Sequence, residues 1–327
     1  MTENQGVLQE VDPFADIGGT EIAGTTAAKA DKRRRRALRV AVIALLEIAL
    51  LAAGIFFGYT YAKSTIEPVT ISNYKTLEDL RAFYKPSAAE MKKDVAAFAA
   101  EENYYGMYKR VYYALLTAES VTVRGGGVTE TAGGKVNIET EKKMESGLMY
   151  SHTVSKGTGL ASAFGGNFEL KQYFDIESRL AKVVGDKKEH AETNGKLQAE
   201  QTYVAKYGLL PYAFSNYRVE ESTVLSASYA KEGETHVLSL RLAAAAAEDY
   251  LKQMKAYSGQ VASFSDGDIL YKMYFGDDFV LRKTEVSETY KVMNMKCTAA
   301  LTEVYAYEGE EGYAPLAEEE KFANVGM

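Results

Sequence analysis

A run of nineteen residues from Val40 to Gly58, apolar or small except for Glu47, constrains this chain more than any other stretch. A bilayer core roughly 30 Å thick takes about 20 helical residues at about 1.5 Å each. With its flanks, Ala37 to Ala62 is therefore expected to form a transmembrane helix. Lys32, Arg33, Arg34, Arg35 and Arg36 stand directly before it, whereas Lys63 alone follows closely. Basic residues are retained on the cytoplasmic side. The cluster thus predicts a single-pass protein of the cell membrane, with a cytoplasmic N-terminus and an extracellular C-terminal part. The alternative is a signal peptide cleaved after Thr60-Tyr61-Ala62. It requires an apolar core of about 7–15 residues and a shorter leader than this one.

Glu47 is costly in such a span, at about 2.5–3.5 kcal/mol near its centre. At 100° per residue, Glu47, Gly54 and Gly58 fall within about 20° of one line. Gly54 and Gly58 form a GxxxG pattern, which lets helix backbones approach closely. That face can serve a homodimer contact with Glu47 hydrogen-bonded in it; a tolerated glutamate beside two chance glycines explains it equally well.

Residues 1–36 are polar and acidic up to the basic cluster, and too poor in apolar groups to offset ordering entropy. They are expected to be a disordered cytoplasmic tail. Residues 1–62 carry as many basic as acidic groups, so the net charge of −7 belongs to 63–327. A surface of that sign excludes a nucleic-acid footprint. Cys297 is the only cysteine and no Asn-x-Ser/Thr sequon occurs. An exterior domain without disulfides or glycosylation fits a bacterial envelope.

After the membrane, residues 63–118 are expected to be helical and to pack on a sheet. Thr76 to Asp79 and Ser87 to Glu90 have the form of capping boxes. Tyr104, Met107, Tyr108, Val111, Tyr112 and Leu115 recur at helical spacing. From Ser120 the period becomes two, which begins a β-rich domain over 119–307. Val121–Thr131 and Lys135–Glu145 are expected to form a hairpin. Leu148, Tyr150, His152 and Val154 then alternate with Met149, Ser151, Thr153 and Ser155, and Phe168, Leu170, Phe174 and Ile176 with charged residues. Helices are expected near 196–207 and 243–257. Strands at 222–229, 236–242, 269–275, 280–290 and 293–307 complete the domain. Residues 308–327 form an acidic tail, expected to be solvated.

Little of this carries chemistry. His152, His190 and His236 do not stand at metal-ligand spacing. Cys297 shares parity with Met295, Ala299 and Leu301 and suits a small buried hydrophobe. Gly157 and Gly159 lack the third glycine of a dinucleotide fingerprint. No phosphate loop, nucleophile elbow or catalytic set assembles, so neither an enzyme nor a cofactor is expected.

The stretches Ser263–Thr284 (SFSDGDILYKMYFGDDFVLRKT) and Thr302–Tyr307 (TEVYAY) resemble the paired strands near the end of the lipoprotein-carrier (LolA/LppX-like) superfamily. The order of elements over roughly 95–307 is similar as well. The resemblance implies an α+β half-barrel, a curved antiparallel sheet wrapped around helices, with a hydrophobic concavity that takes acyl chains. On it, Tyr150, His152, Tyr271 and Met273 are expected to line the concave face. The expected function is non-enzymatic binding of a lipid or other hydrophobic ligand at the envelope. The alternative is an interaction or sensory protein that couples its exterior domain to the tail through the membrane helix.

Overall fold

A computed structural model describes residues 76–163, 166–185, 197–208, 211–259, 261–292 and 295–322. The chain divides into two units, Met1–Phe57 and Gly58–Met327, and every described residue belongs to the second. The expected membrane span, with Glu47, Gly54, Gly58 and Arg33 to Arg36, lies outside the described residues. Among those described, no helix is long and apolar enough to cross a membrane.

Local sequence opens the first helix as expected, whereas the second expected box, Ser87 to Glu90, opens only a 3-10 turn, Glu90–Lys92. Thr76 caps α1 (Leu77–Tyr84) in a reciprocal box, its hydroxyl accepting from the Asp79 amide at 3.1 Å. Asp94 caps α2 (Val95–Ala100) and Asn103 caps α3 (Tyr104–Leu116). Gly106 has a definite role in the last of these. A Cβ at this position would stand 2.6 Å from the Asn103 side chain, the group that accepts from the Gly106 amide. The tyrosine stripe of α3 turns inward, with Met107, Tyr108, Val111, Tyr112 and Leu115 all buried.

The strands form one curved antiparallel sheet. They are β1 (Ser120–Thr131), β2 (Gly134–Glu145), β3 (Leu148–Gly157), β4 (Phe168–Asp175), β5 (Leu180–Gly185), β6 (Leu197–Ala199), β7 (Val224–Glu232), β8 (Thr235–Leu242), β9 (Ala262–Ser263), β10 (Ile269–Phe275), β11 (Leu281–Val292) and β12 (Met295–Tyr307). The spatial order is β6-β5-β4-β3-β2-β1-β12-β11-β10-β8-β7, with β9 beside β11. Two meanders are thus joined where β1 pairs with β12, Val123 opposite Tyr305. Short helices α4 (Leu160–Ala163) and α5 (Glu200–Tyr207) and the longer α6 (Glu248–Ser258) interrupt the strands.

Four elements depart from the sequence expectations. The first is the helix near 196–207, which begins only at Glu200 because Leu197–Ala199 pair with β5 as strand β6. β5 was not expected, because Ala181, Lys182 and Val183 are all buried and leave no alternation to see. The expected helix at 243–257 begins as a 3-10 turn, Ala244–Ala247, and becomes α-helical only from Glu248. Ala246 and Ala247 are fully buried there, so close packing overrides alanine's helix preference. The tail is not free either. Ala314 exchanges hydrogen bonds with the Thr122 hydroxyl at 2.8 and 3.0 Å, and Glu320 meets Lys143 Nζ at 2.8 Å.

Directly opposed residues of antiparallel strands point to the same face. One face carries Val123, Tyr305, Val286, Tyr271 and Leu240, and it is continuous with α1 and α3 in the main core. The segment Tyr212–Val219 inserts beneath it, Tyr212, Phe214, Tyr217 and Val219 being buried in that core. The opposite face of β3 and β4 holds Tyr150 and Tyr173, which Leu316 of the C-terminal strap covers.

Candidate functional site

The register separates the residues expected to line one concave face. Tyr271 and Met273 lie on the helix-covered face and are sealed there, 4% and 0% exposed. Tyr150 pairs with Lys143 and Tyr173 on the other face, beneath Leu316, at 5% exposure. His152 shares that outer face, where its Nε2 lies 2.9 Å from Glu169 Oε1 at the surface. The parity of β3 is thus the reverse of the expected one. Met149 and Ser151 face the covered side, and the strap buries the apolar residues opposite them.

What the covered face does contain is a strip that packing leaves half open. Its rows follow from the ladder. Ile138 stands opposite Gly127, and Gly127 opposite Leu301. Val136 stands opposite Thr129, and Thr129 opposite Ala299. Thr153, Thr140 and Gly125 form the third row. Each of these side chains is only partly buried, whereas the same face over β8 and β10 is closed. Gly127 keeps the strip shallow: a Cβ there would stand 2.5 Å from the Ala300 carbonyl oxygen.

Two buried carboxylates mark the inner margin of the strip. Glu288 stands opposite Ala299, and Glu303 opposite Gly125. Ala299 and Glu303 are four residues apart on β12, about 13 Å along a strand. Glu303 accepts from Lys142 Nζ at 3.0 Å and from the Tyr305 hydroxyl at 3.1 Å. Glu288 accepts from the Tyr217 hydroxyl, and Tyr250 also hydrogen-bonds it. Burial pushes the Glu288 carboxyl up to about 7, against those two hydrogen bonds, which favour its charged form. The Tyr271 phenol is raised by burial first and by the charge of Glu303 next.

A second polar set lies at the end of β8. His236 is buried, with Nε2 2.7 Å from Asp277 Oδ1 and Nδ1 2.8 Å from the Tyr229 hydroxyl. The hydrogen bond from His236 lowers the Asp277 carboxyl, and Lys231 adds to the effect. The chain of three contains no serine, threonine or cysteine nucleophile, and it pins the Asp277 turn to the sheet. Cys297 is buried beside Tyr290 and Val292, and burial pushes its thiol up. Among the described residues no group of three or more His, Cys, Asp or Glu is placed to hold a metal ion.

No family model matches the chain, and no curated protein does. Among solved structures, the chain is similar to a DUF1329 family protein from Desulfovibrio piger, at 9% identity and a TM-score of 0.26, over 68% of this chain and 98% of that one. It is similar also to MucB in complex with MucA(peri), at 7% identity and a TM-score of 0.10, over 63% and 93%. At such TM-scores neither likeness carries an argument. What the chain has in common with the lipoprotein-carrier resemblance is architecture: a curved antiparallel sheet with helices against one face.

Both margin carboxylates were visible in the sequence as exceptions. Glu288 sits in the apolar parity of Val286, Tyr290 and Val292, and Glu303 in that of Leu301 and Tyr305. A charged residue on a buried stripe is the signal that would have found them.

Proposed function

We propose that this chain is a membrane-anchored, non-enzymatic module of the bacterial envelope that binds a lipid or other hydrophobic ligand on the helix-covered face of its sheet. The observation that carries the reading is the half-open strip of Val136, Ile138, Ala299 and Leu301, whose Leu301 packs against the sealed apolar core. Ligand sites are concave, mostly apolar and edged by a few placed polar groups. Lys142, Glu303 and Glu288 supply that edge. In the same proposal Ala37 to Ala62 holds the module at the cell membrane, with Arg33 to Arg36 on the cytoplasmic side. The Glu47, Gly54 and Gly58 face offers a place for a second copy. A tethered module of this kind takes up or presents its ligand at the membrane surface.

The test is native mass spectrometry of the full chain released from membranes, followed by lipid extraction. An acyl-chain species retained at one per chain supports the reading. A bare protein mass, together with no uptake of an apolar fluorescent probe, contradicts it.

A further inference from the structure

The two carboxylates at the margin of the strip differ in company. Glu303 has a cation, Lys142, at 3.0 Å. Glu288 is as deeply buried, yet no lysine, arginine or histidine among the described residues pairs with it. It is surrounded instead by phenols. Tyr217 comes from the inserted segment, Tyr250 from α6 and Tyr290 from β11 itself. The Tyr217 ring stands edge-on to Tyr250 at 5.8 Å and to Tyr271 at 6.1 Å. The groups facing Glu288 across the sheet, Ile269 of β10 and Ala299 of β12, are uncharged. A carboxylate away from water without a counter-charge is costly.

An independent feature lies on the same face. The Tyr108 hydroxyl is fully buried and has no hydrogen-bond partner among the described residues. It sits near the phenols of Tyr84, Tyr112 and Tyr271, and Tyr271 stands opposite Val286, next to Leu301 of the strip. A buried polar atom is therefore without a partner among the described residues, in the core on the same side of the sheet as Tyr271.

Resting on the hydrophobe-binding reading, we infer that the ligand is a single-chain amphiphile with an ammonium head, whose chain lies on the strip and whose head is received by Glu288. A carboxylate or phosphate head would meet two buried carboxylates, and the one lysine beside them is already engaged. An ammonium head supplies Glu288 with its missing counter-charge, beside the hydroxyls of Tyr217 and Tyr250. Because the empty Glu288 titrates at about 7, ammonium binding weakens as the pH falls below that value.

Three ten-carbon amphiphiles test this with the full chain held in amphipol. Decyltrimethylammonium, decanoate and monodecanoylglycerol compete against N-phenyl-1-naphthylamine, an uncharged fluorescent probe. The ammonium compound is expected to displace the probe at a concentration at least tenfold below that of decanoate at pH 8. The gap is expected to close in Glu288→Gln and, for wild type, at pH 5. Decanoate displacing as well as the ammonium compound overturns the inference and leaves the binding module standing. No uptake of the probe at all removes the module and the inference together. The head-group comparison in the wild type needs no variant to fold.

Discussion

The helix-covered face of the sheet behaves as two surfaces. Over β8 and β10, Leu238, Leu240, Ile269, Met273 and Phe275 alternate inward and are sealed by α3 and the Tyr212–Val219 segment. Over β1, β2 and β12, Ile138, Val136 and Leu301 point to the same side with the same alternation and stay half open. Strand pattern alone does not separate them. The difference is made by what lies above: aromatic side chains over the first, small and β-branched neighbours around the second. One sheet face thus supplies both the stability of the domain and its candidate binding surface.

The largest effects should come from breaking the closed half. Met273→Ala leaves a cavity under α3, and about 2–5 kcal/mol of stability should be lost in denaturant unfolding. Ile138→Ala in the half-open region should cost well under half as much. Equal losses at the two positions would erase the distinction.

Glu288 sharpens the boundary between the halves through pH. Its folded carboxyl titrates at about 7 and an unfolded one near 4.5, so the folded state holds the extra proton between those values. The contribution of Glu288 to stability should then fall as pH rises through that window, for a total of about 3 kcal/mol. Glu288→Gln lacks this slope. Its advantage over wild type should be near zero at pH 4 and greatest at pH 8. A pH-independent difference would show that the carboxyl is not buried as described.

Gly127→Ala places a Cβ against the Ala300 backbone, which cannot swing aside as a side chain would. A loss of about 1–3 kcal/mol is expected from such overpacking, read by thermal unfolding. The smallest change is Tyr108→Phe. Removing a buried hydroxyl that has no partner should be neutral or stabilising by about 1 kcal/mol. A clear destabilisation would reveal a partner for that oxygen.

Much of the architecture was legible in the residues. The α3 stripe from Tyr104 to Leu115, the hairpin around Gly133 and Gly134, and the closing strands from Ile269 to Tyr307 follow from periods of 3.6 and 2. Where burial came from both sides, the period vanished. Lys182 is buried in β5, and Tyr150 is buried under Leu316, which lies far away in sequence. Parity therefore assigned Tyr150 and His152 to the wrong face, and no local rule could show a strap arriving from residue 316. The strip was hidden for a related reason. Gly125 and Gly127 interrupt β1 as a flexible turn would, and only the pairing of Gly127 with both Ile138 and Leu301 makes them the floor of a surface.

The most direct test of the binding face uses two substitutions on one strand. Leu301 faces the strip, whereas Val304 points to the opposite side at 52% exposure. Uptake of N-phenyl-1-naphthylamine by the full chain should be abolished by Leu301→Asp and unchanged by Val304→Asp, with both variants folded by circular dichroism. Equal uptake by the two variants, or none by the wild type, would contradict a ligand site on this face.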